Sequence, residues 1–353
     1  MSAVAAITEL AERLPLPDGV VRTAIHLLCA RTASRLANGG AAADADFARA
    51  MAARAIAEHA TAANRQHYEV PAAFFAHVLG PRRKYSSCFY RTGDTTLGEA
   101  EEDALRQTVE RAALGDGQRI LELGCGWGSL SLWMAETLPR ARITAVSNSQ
   151  SQRAFIKAQA AARGLRNLEV VTADMNTFAP PQRFDRVISV EMFEHMMNWR
   201  ALLGRVRSWL APDGRLFMHI FTHRSGCYRF DHDDRDDWIG RHFFTGGVMP
   251  SHRLIRQFGD LFAVENEWRW SGVHYRRTAE DWLANFDANR RPIAEILRPA
   301  YGDETGLWMR RWRWFFLATA GLFGHADGHE WGVSHYLLKP DQATAFSTFT
   351  SSP

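Results

Sequence analysis

From residue 119 to residue 221 the chain alternates short apolar runs with longer amphipathic stretches. Ile120, Leu121 and Leu123 form a nearly continuous apolar run, the pattern of a strand buried on both faces. Similar runs follow at Arg142–Val146, Leu168–Thr172, Phe184–Val190 and Arg215–Phe221, the last entered through a Pro212-Asp-Gly214 turn. Between them, the segment from Ser129, Ser149–Arg163 and Trp199–Leu210 read as helices, and a further helix from Leu97 to Leu114 precedes the first strand. Strands alternating with helices predict an α/β fold built on a doubly wound, Rossmann-like parallel sheet. Ligands of such sheets sit at the carboxyl ends of the strands. That rule brings Gly124, Asn148, Asp174, Glu191 and His219 or Phe221 around one crevice.

The flanks follow other patterns. Residues 1–65 are rich in Ala and Leu and read as an N-terminal helical extension, a cap or an interface, with Ala48–Asn64 helical and Gly39-Gly40 a hinge. Residues 66–225 form the sheet-building core and 226–330 a helical, substrate-covering insert that includes a late strand at Phe262–Trp270. Residues 331–353 supply a final strand, Val333–Leu338, and a tail. Asp281–Phe323 is mainly helical, broken near Tyr301-Gly-Asp. Its segment Trp308–Leu317 interleaves aromatic and basic residues, and the apolar stretch Trp314–Phe323 is too short to span a bilayer. A buried helix roofing the crevice is expected, with shallow insertion into a lipid interface as the alternative.

Composition narrows the classes. A chain of 353 residues suffices for one large α/β domain with additions, and a net charge of +3 without a basic tract argues against nucleic acid. The start carries Glu9 and Glu12 and no basic leader, unlike a secretory signal. Cys29, Cys88, Cys125 and Cys227 are scattered without a C-x-x-C pair, which disfavours structural zinc or a disulfide framework and fits a cytoplasmic, reducing setting. The acidic run Asp231–Asp237 reads as a solvated loop, and no metal is expected.

The chemistry concentrates in three places. After the first strand, Glu122-x-Gly124-x-Gly126-x-Gly128 puts its third glycine one residue too early for a dinucleotide fingerprint. The acid that would bind a ribose is also missing from Ala145-Val-Ser-Asn-Ser-Gln150. The spacing resembles motif I of the class I methyltransferases, which use S-adenosylmethionine. Upstream, His67-Tyr-Glu-Val-Pro and Lys84-Tyr-Ser-Ser-Cys read either as a hydrogen-bonded turn or as a flap whose hydroxyls hold a cofactor carboxylate. After the fourth strand, Glu191-Met-Phe-Glu-His195 gathers two carboxylates and an imidazole, groups expensive to desolvate unless paired or working. Glu194 and His195 could bind an ammonium, orient it and accept its proton, with His219 a second polar group from the next strand.

These segments, with Ser147-Asn-Ser-Gln-Ser-Gln152, Phe243-Phe-Thr-Gly-Gly and His274-Tyr275, are collinear over His67–Leu338. In that order they resemble the coclaurine N-methyltransferase type of plant benzylisoquinoline N-methyltransferases, and more distantly the cyclopropane-fatty-acyl-phospholipid synthases. The resemblance implies a class I methyltransferase sheet ending in an antiparallel hairpin. It implies S-adenosylmethionine, converted to S-adenosylhomocysteine, held by Tyr85, Ser86, Glu122, Gly124, Gly126, Asn148, Gln152, Asp174 and Met175. Glu191, Glu194, His195 and His219 are implied as catalytic, and Cys88, Phe221, Tyr275 and Phe316 as substrate-binding. In the synthases, residues matching Cys88, Glu194, His219 and Tyr275 surround a bicarbonate, and glycine stands where this chain has Glu191. The amine methyltransferases carry Glu there, and Pro71 and Phe244-Thr-Gly-Gly follow the same branch. A small-molecule amine is therefore the expected acceptor, with unsaturated acyl chains of phospholipids as the alternative. A cofactor-binding protein without turnover is disfavoured by intact Glu194, His195 and Tyr275. A homodimer and peripheral lipid contact stay open.

Overall fold

The computed structural model describes residues 8–58 and 70–341. Met1–Ile7, the His67-Tyr-Glu stretch, the expected boundary near residue 65 and the tail from residue 342 lie outside the described residues. The five apolar runs become the parallel strands β1 (Arg119–Leu123), β2 (Arg142–Ser147), β3 (Leu168–Thr172), β4 (Phe184–Val190) and β5 (Leu210–His223). The late strands β6 (Phe262–Ser271) and β7 (Trp331–Pro340) complete a sheet of order β3-β2-β1-β4-β5-β7-β6, with β7 antiparallel to both its neighbours. β5 is longer than the pattern predicts. Its pairing with β4 jumps from Phe184–Leu210 to Arg186–Arg215, so the Pro212-Asp-Gly214 turn is looped out within the strand.

The helices form where apolar spacing and caps agree. They are α1 (Asp18–Leu36), α2 (Ala41–Ala52), α3 (Ala72–Val78), α4 (Leu97–Arg111), α5 (Ser129–Thr137), α6 (Gln150–Ala162) and α7 (Trp199–Trp209). After a one-turn helix at Trp238–His242 come α8 (Gly272–Ala288), α9 (Arg290–Tyr301) and α10 (Thr305–Gly324). Thr96 and Glu99 close a capping box on α4, and Ser149, Asn198 and Ser271 cap α6, α7 and α8 with side-chain oxygens.

Three expectations on helices are corrected. The helix expected over Ala48–Asn64 stops at Ala52, and the part of that expectation beyond residue 58 lies outside the described residues. The Ile56 carbonyl accepts from Met197 (2.7 Å), Asn176 holds both polar groups of the Ala57 backbone (3.1 and 2.9 Å), and Asn198 donates to Ala52 and Arg54. These lateral bonds replace the helical ladder. α4 ends at Arg111 rather than Leu114, where Ala113 takes a left-handed φ of 50°. The late helical segment begins at Gly272, nine residues before Asp281, because Ser271 caps it there.

α10 packs between α8 and α1, so the N-terminal helix joins the layer above the strand tips. Arg313 of α10 bridges Asp18 of α1 and Asp287 of α8 (2.9 Å each), and Arg311 reaches the buried Glu12 at 2.7 Å. α10 buries Leu307, Trp312, Phe316 and Leu317 against these neighbours. No helix among the described residues is long and apolar enough to cross a membrane.

Candidate active site

The first wall of the crevice is the turn after β1. Gly124, Gly126 and Gly128 all adopt positive φ (80°, 51° and 79°), the region glycine occupies without steric penalty. A Cβ on Gly124 would sit 2.6 Å from the Met192 side chain, and one on Gly128 2.6 Å from Ile156; above Gly126 nothing lies within 4 Å. Gly124 and Gly128 therefore answer to packing, and Gly126 keeps space open toward the crevice. Gly124→Ala is expected to lower stability by about 2–5 kcal/mol, strain and overpacking together. Gly126→Ala should cost only the backbone strain, about 1–2 kcal/mol, yet lose affinity for the cofactor. Urea unfolding and calorimetry with S-adenosylhomocysteine separate the two, and equal behaviour of both variants would refute the division.

Around this turn several polar groups are buried without a partner among the described residues: Gln152 Nε2, Ser129 Oγ and Trp127 Nε1. Ser147 Oγ donates to Gln152 Oε1 at 2.6 Å, fixing the amide so that its nitrogen is left to donate elsewhere. Asn148 stands beside it at the tip of β2. A ribose hydroxyl meets the needs of such an amide, so the site fits a nucleoside cofactor without the usual acid. Asp174 is exposed beyond β3, its carboxylate accepting from the Asn176 backbone and side chain (2.8 and 3.0 Å), and Met175 is buried next to it. Glu122 is buried beneath the turn, where it accepts the Ser131 hydroxyl; burial pushes its pKa up to about 7. Its described role is to tie β1 to α5.

Lys84-Tyr-Ser-Ser-Cys88 forms the second wall. Lys84 is buried, and its ammonium donates to Ser86 Oγ (2.6 Å) and the Ser87 carbonyl (2.5 Å). Glu101 accepts the Arg82 and Lys84 N–H groups (2.7 and 3.0 Å) and anchors the turn from α4. Tyr85 lies between the rings of Phe75 and Trp282. Cys88 is fully buried; burial pushes its thiol up, so it stays neutral, and its N–H donates to Thr278 Oγ1.

The acidic cluster closes the site. Glu191 leaves β4 with φ 48°, a left-handed conformation unusual outside glycine. Its Oε1 accepts the Ser87 N–H (2.9 Å) and His219 Nε2 (3.1 Å), and its Oε2 the Tyr275 hydroxyl (2.7 Å). Burial pushes the Glu191 carboxyl up, and the Lys84 charge with these donors opposes that rise. Glu194 is fully buried on the short turn Phe193–His195. Its Oε1 accepts the Phe221 N–H at 2.7 Å, and its Oε2 has no partner among the described residues. Burial first, and the neighbouring Glu191 charge second, push Glu194 well above the usual carboxylate range. His195 is half-buried with its ring 4.4 Å from Phe244. A carboxylate–imidazole contact in this cluster joins Glu191 to His219.

Aromatic rings face the cluster from above. α8 and α10 run antiparallel: Tyr275 meets Phe323 (4.3 Å, interplanar 21°), and one heptad away Trp282 meets Phe316 (6.3 Å). Phe316 is thus fully buried among Trp282, Phe286, Trp312 and Phe315, within the roof's own core. Phe323 stacks on the tyrosine that bonds Glu191. Phe221 lies near Phe244 (5.5 Å) and Phe323 (6.1 Å). Lys84, Ser87 and Phe323 carry no role in the sequence reading. Lys84 and Ser87 sit inside a quoted motif, whereas Phe323 needed the helix pairing. In the acidic loop, Asp231, His232 and Asp233 cluster at the surface. Asp231 and Asp234 accept backbone N–H groups of the loop itself, and Asp237 caps the following turn.

Comparison with known proteins bears on this geometry. A family described as "Mycolic acid cyclopropane synthetase" matches residues 56–326. An (S)-coclaurine N-methyltransferase from Thalictrum flavum subsp. glaucum is 39% identical over 283 residues, covering 78% of this chain and 77% of that protein. The cyclopropane-fatty-acyl-phospholipid synthase of Escherichia coli strain K12 is 28% identical over 271 residues, 76% of this chain and 66% of its own. Among solved structures, coclaurine N-methyltransferase bound to N-methylheliamine and S-adenosylhomocysteine superposes with a TM-score of 0.90 at 34% identity, covering 95% of this chain and 99% of that one. The cyclopropane synthase MmaA2 of Mycobacterium tuberculosis shares the fold, with a TM-score of 0.65 at 20% identity, covering 81% of this chain and 99% of that one.

Proposed function

The chain belongs to the mycolic acid cyclopropane synthetase family and is an S-adenosylmethionine-dependent methyltransferase; from that premise we propose that it N-methylates a small-molecule amine. The observation that carries this reading is the place of Glu191. The His219 imidazole and the Tyr275 hydroxyl match residues that resemblance associates with a bicarbonate in the cyclopropane synthases, and here both bond the Glu191 carboxylate. An internal carboxylate thus stands where the synthases, with glycine, leave room for an anion. A fixed negative charge beside a second buried carboxylate suits a cationic acceptor better than an uncharged double bond.

Tyr85, Ser86, Gly124, Gly126, Asn148, Gln152, Asp174 and Met175 would hold the cofactor, with Glu122 bracing the turn from below. When bound, the cofactor supplies an electrophilic methyl on a cationic sulfur. Glu194 Oε2, buried without a described partner, takes the ammonium proton. Burial and the neighbouring Glu191 charge raise its pKa, which makes its carboxylate a stronger base. The freed nitrogen pair forms the N–C bond as the C–S pair stays with sulfur. Glu191 keeps its donors throughout and lends charge rather than taking a proton. Phe221, Tyr275, Phe244 and Phe323 line the acceptor side, a setting for an amine carried on an aromatic or other apolar frame. Four unpaired cysteines, three of them buried, support a reducing, cytoplasmic setting.

The test supplies methyl-labelled cofactor with either a panel of secondary and tertiary cyclic amines or vesicles of unsaturated phospholipid. Label is expected in amines alone; label confined to acyl chains would overturn the proposal.

A further inference from the structure

Behind Glu191 a line of side chains runs from β5 to β7 and on to Arg111, the last residue of α4. His219 Nδ1 meets His335 Nε2 at 3.0 Å, and His335 Nδ1 meets the Arg111 guanidinium at 2.7 Å. The two histidines are directly opposed in the register of β5 and β7, and both are fully buried. Arg111 is held over the faces of Trp268 and Trp270, 5.3 and 5.6 Å from their ring centres.

We propose that Arg111 and His335 are positioning residues that hold His219 as the neutral Nε2–H tautomer, so that Glu191 always receives a proton donor from that side.

The assignment follows from donor counting. A guanidinium carries donors only, so His335 Nδ1 must accept and its hydrogen must sit on Nε2. That N–H points at His219 Nδ1, which must accept in turn, leaving His219 Nε2–H to donate to Glu191 Oε1. Reversing any one bond sets two donors or two acceptors against each other. Since arginine neither accepts a hydrogen bond nor gives up its proton, the line is not an exit for the proton released by methylation. It fixes polarity instead. Neutrality of both rings agrees with their surroundings. Burial leads in holding each well below the usual imidazole range, with Lys84 and Arg111 facing His219, and His219, Arg111 and Lys84 facing His335. Glu110 faces Arg111 from α4, and Glu191 is the acid at the far end.

The kinetic half of this inference rests on the amine-methylation reading, and the spectroscopic half does not. Full-length protein carrying 15N-histidine is recorded in long-range proton–nitrogen correlation spectra, with His219→Gln and His335→Gln assigning the two rings. Both are expected as neutral Nε2–H tautomers over the working pH range. Arg111→Ala is expected to bring the Nδ1–H tautomer into both rings and to lower kcat about 10–100-fold, the scale of losing an orienting partner. KM for the cofactor should move less than twofold, and Arg111→Lys, still a donor, should recover part of the rate. An Nδ1–H or doubly protonated ring at either position in the wild type overturns the assignment. So does an Arg111→Ala enzyme with unchanged tautomers and rate. Wild-type spectra as expected from a protein that methylates no amine would sink the functional reading and leave the tautomer assignment standing.

Discussion

Glu194→Gln is expected to lower kcat by about 10²–10⁴-fold, the range of a lost general base, while S-adenosylhomocysteine binds as before. The amide is nearly isosteric, and its oxygen can still accept the Phe221 N–H, so the turn Phe193–His195 keeps its shape. What disappears is a basic oxygen at Oε2, the buried position without a described partner. The pH profile gives the sharper readout. Burial and the Glu191 charge raise the Glu194 pKa, so its basic form is scarce in acid and fills as pH rises. Wild-type kcat/KM should therefore climb with pH through this ionisation, and the variant should keep only the limb due to the amine itself. A variant with the wild-type profile, or one that loses cofactor affinity in step with rate, would show that Glu194 is not the base.

Glu191→Gly should lower kcat about 10²–10³-fold, a loss typical of removing a fixed charge from a preorganised site. Added bicarbonate or acetate should restore part of it in a saturable manner. Two effects oppose each other in stability. Glycine relieves the left-handed backbone at φ 48°, worth about 1–2 kcal/mol. The Ser87 N–H, His219 Nε2–H and Tyr275 hydroxyl lose their acceptor, at about 1–3 kcal/mol each while unsatisfied. The second wins without an anion, and a small carboxylate added from solution should refill the place and raise the unfolding midpoint. Absence of rescue in both rate and stability would argue against Glu191 as an internal replacement for a bound anion.

The sheet was largely legible because buried parallel strands are written locally, as apolar runs closed by turns. β1, β3 and β4 fall within a residue of the expected positions, and the two late strands pair as the expected terminal hairpin. Helix ends were less legible. α2 stops at Ala52 because Asn176 and Asn198, more than a hundred residues away, compete for its backbone. At the site, Glu191, Glu194, His219 and Tyr275 could be named from motifs, but their pairing could not. Which imidazole meets which carboxylate depends on the left-handed turn at Glu191, and nothing near residue 191 announces it. His335 was silent for the same reason: a lone histidine in an apolar strand acquires meaning only once β7 lies beside β5. The pairing of Tyr275 with Phe323 was not legible because the antiparallel fit of α8 on α10 is a tertiary fact.

The position of β7 governs when this protein becomes competent during synthesis. β6 emerges from the ribosome first but has no edge of the sheet to join, since β7 lies between it and β5. The two must dock together, after about sixty further residues have been made, and such long-range pairing is slow. Until then His219, beside Glu191 at the end of β4, lacks His335 on its other side, and the nascent chain has a cofactor fold without that support. Catalysis is thereby coupled to completion of the last strand.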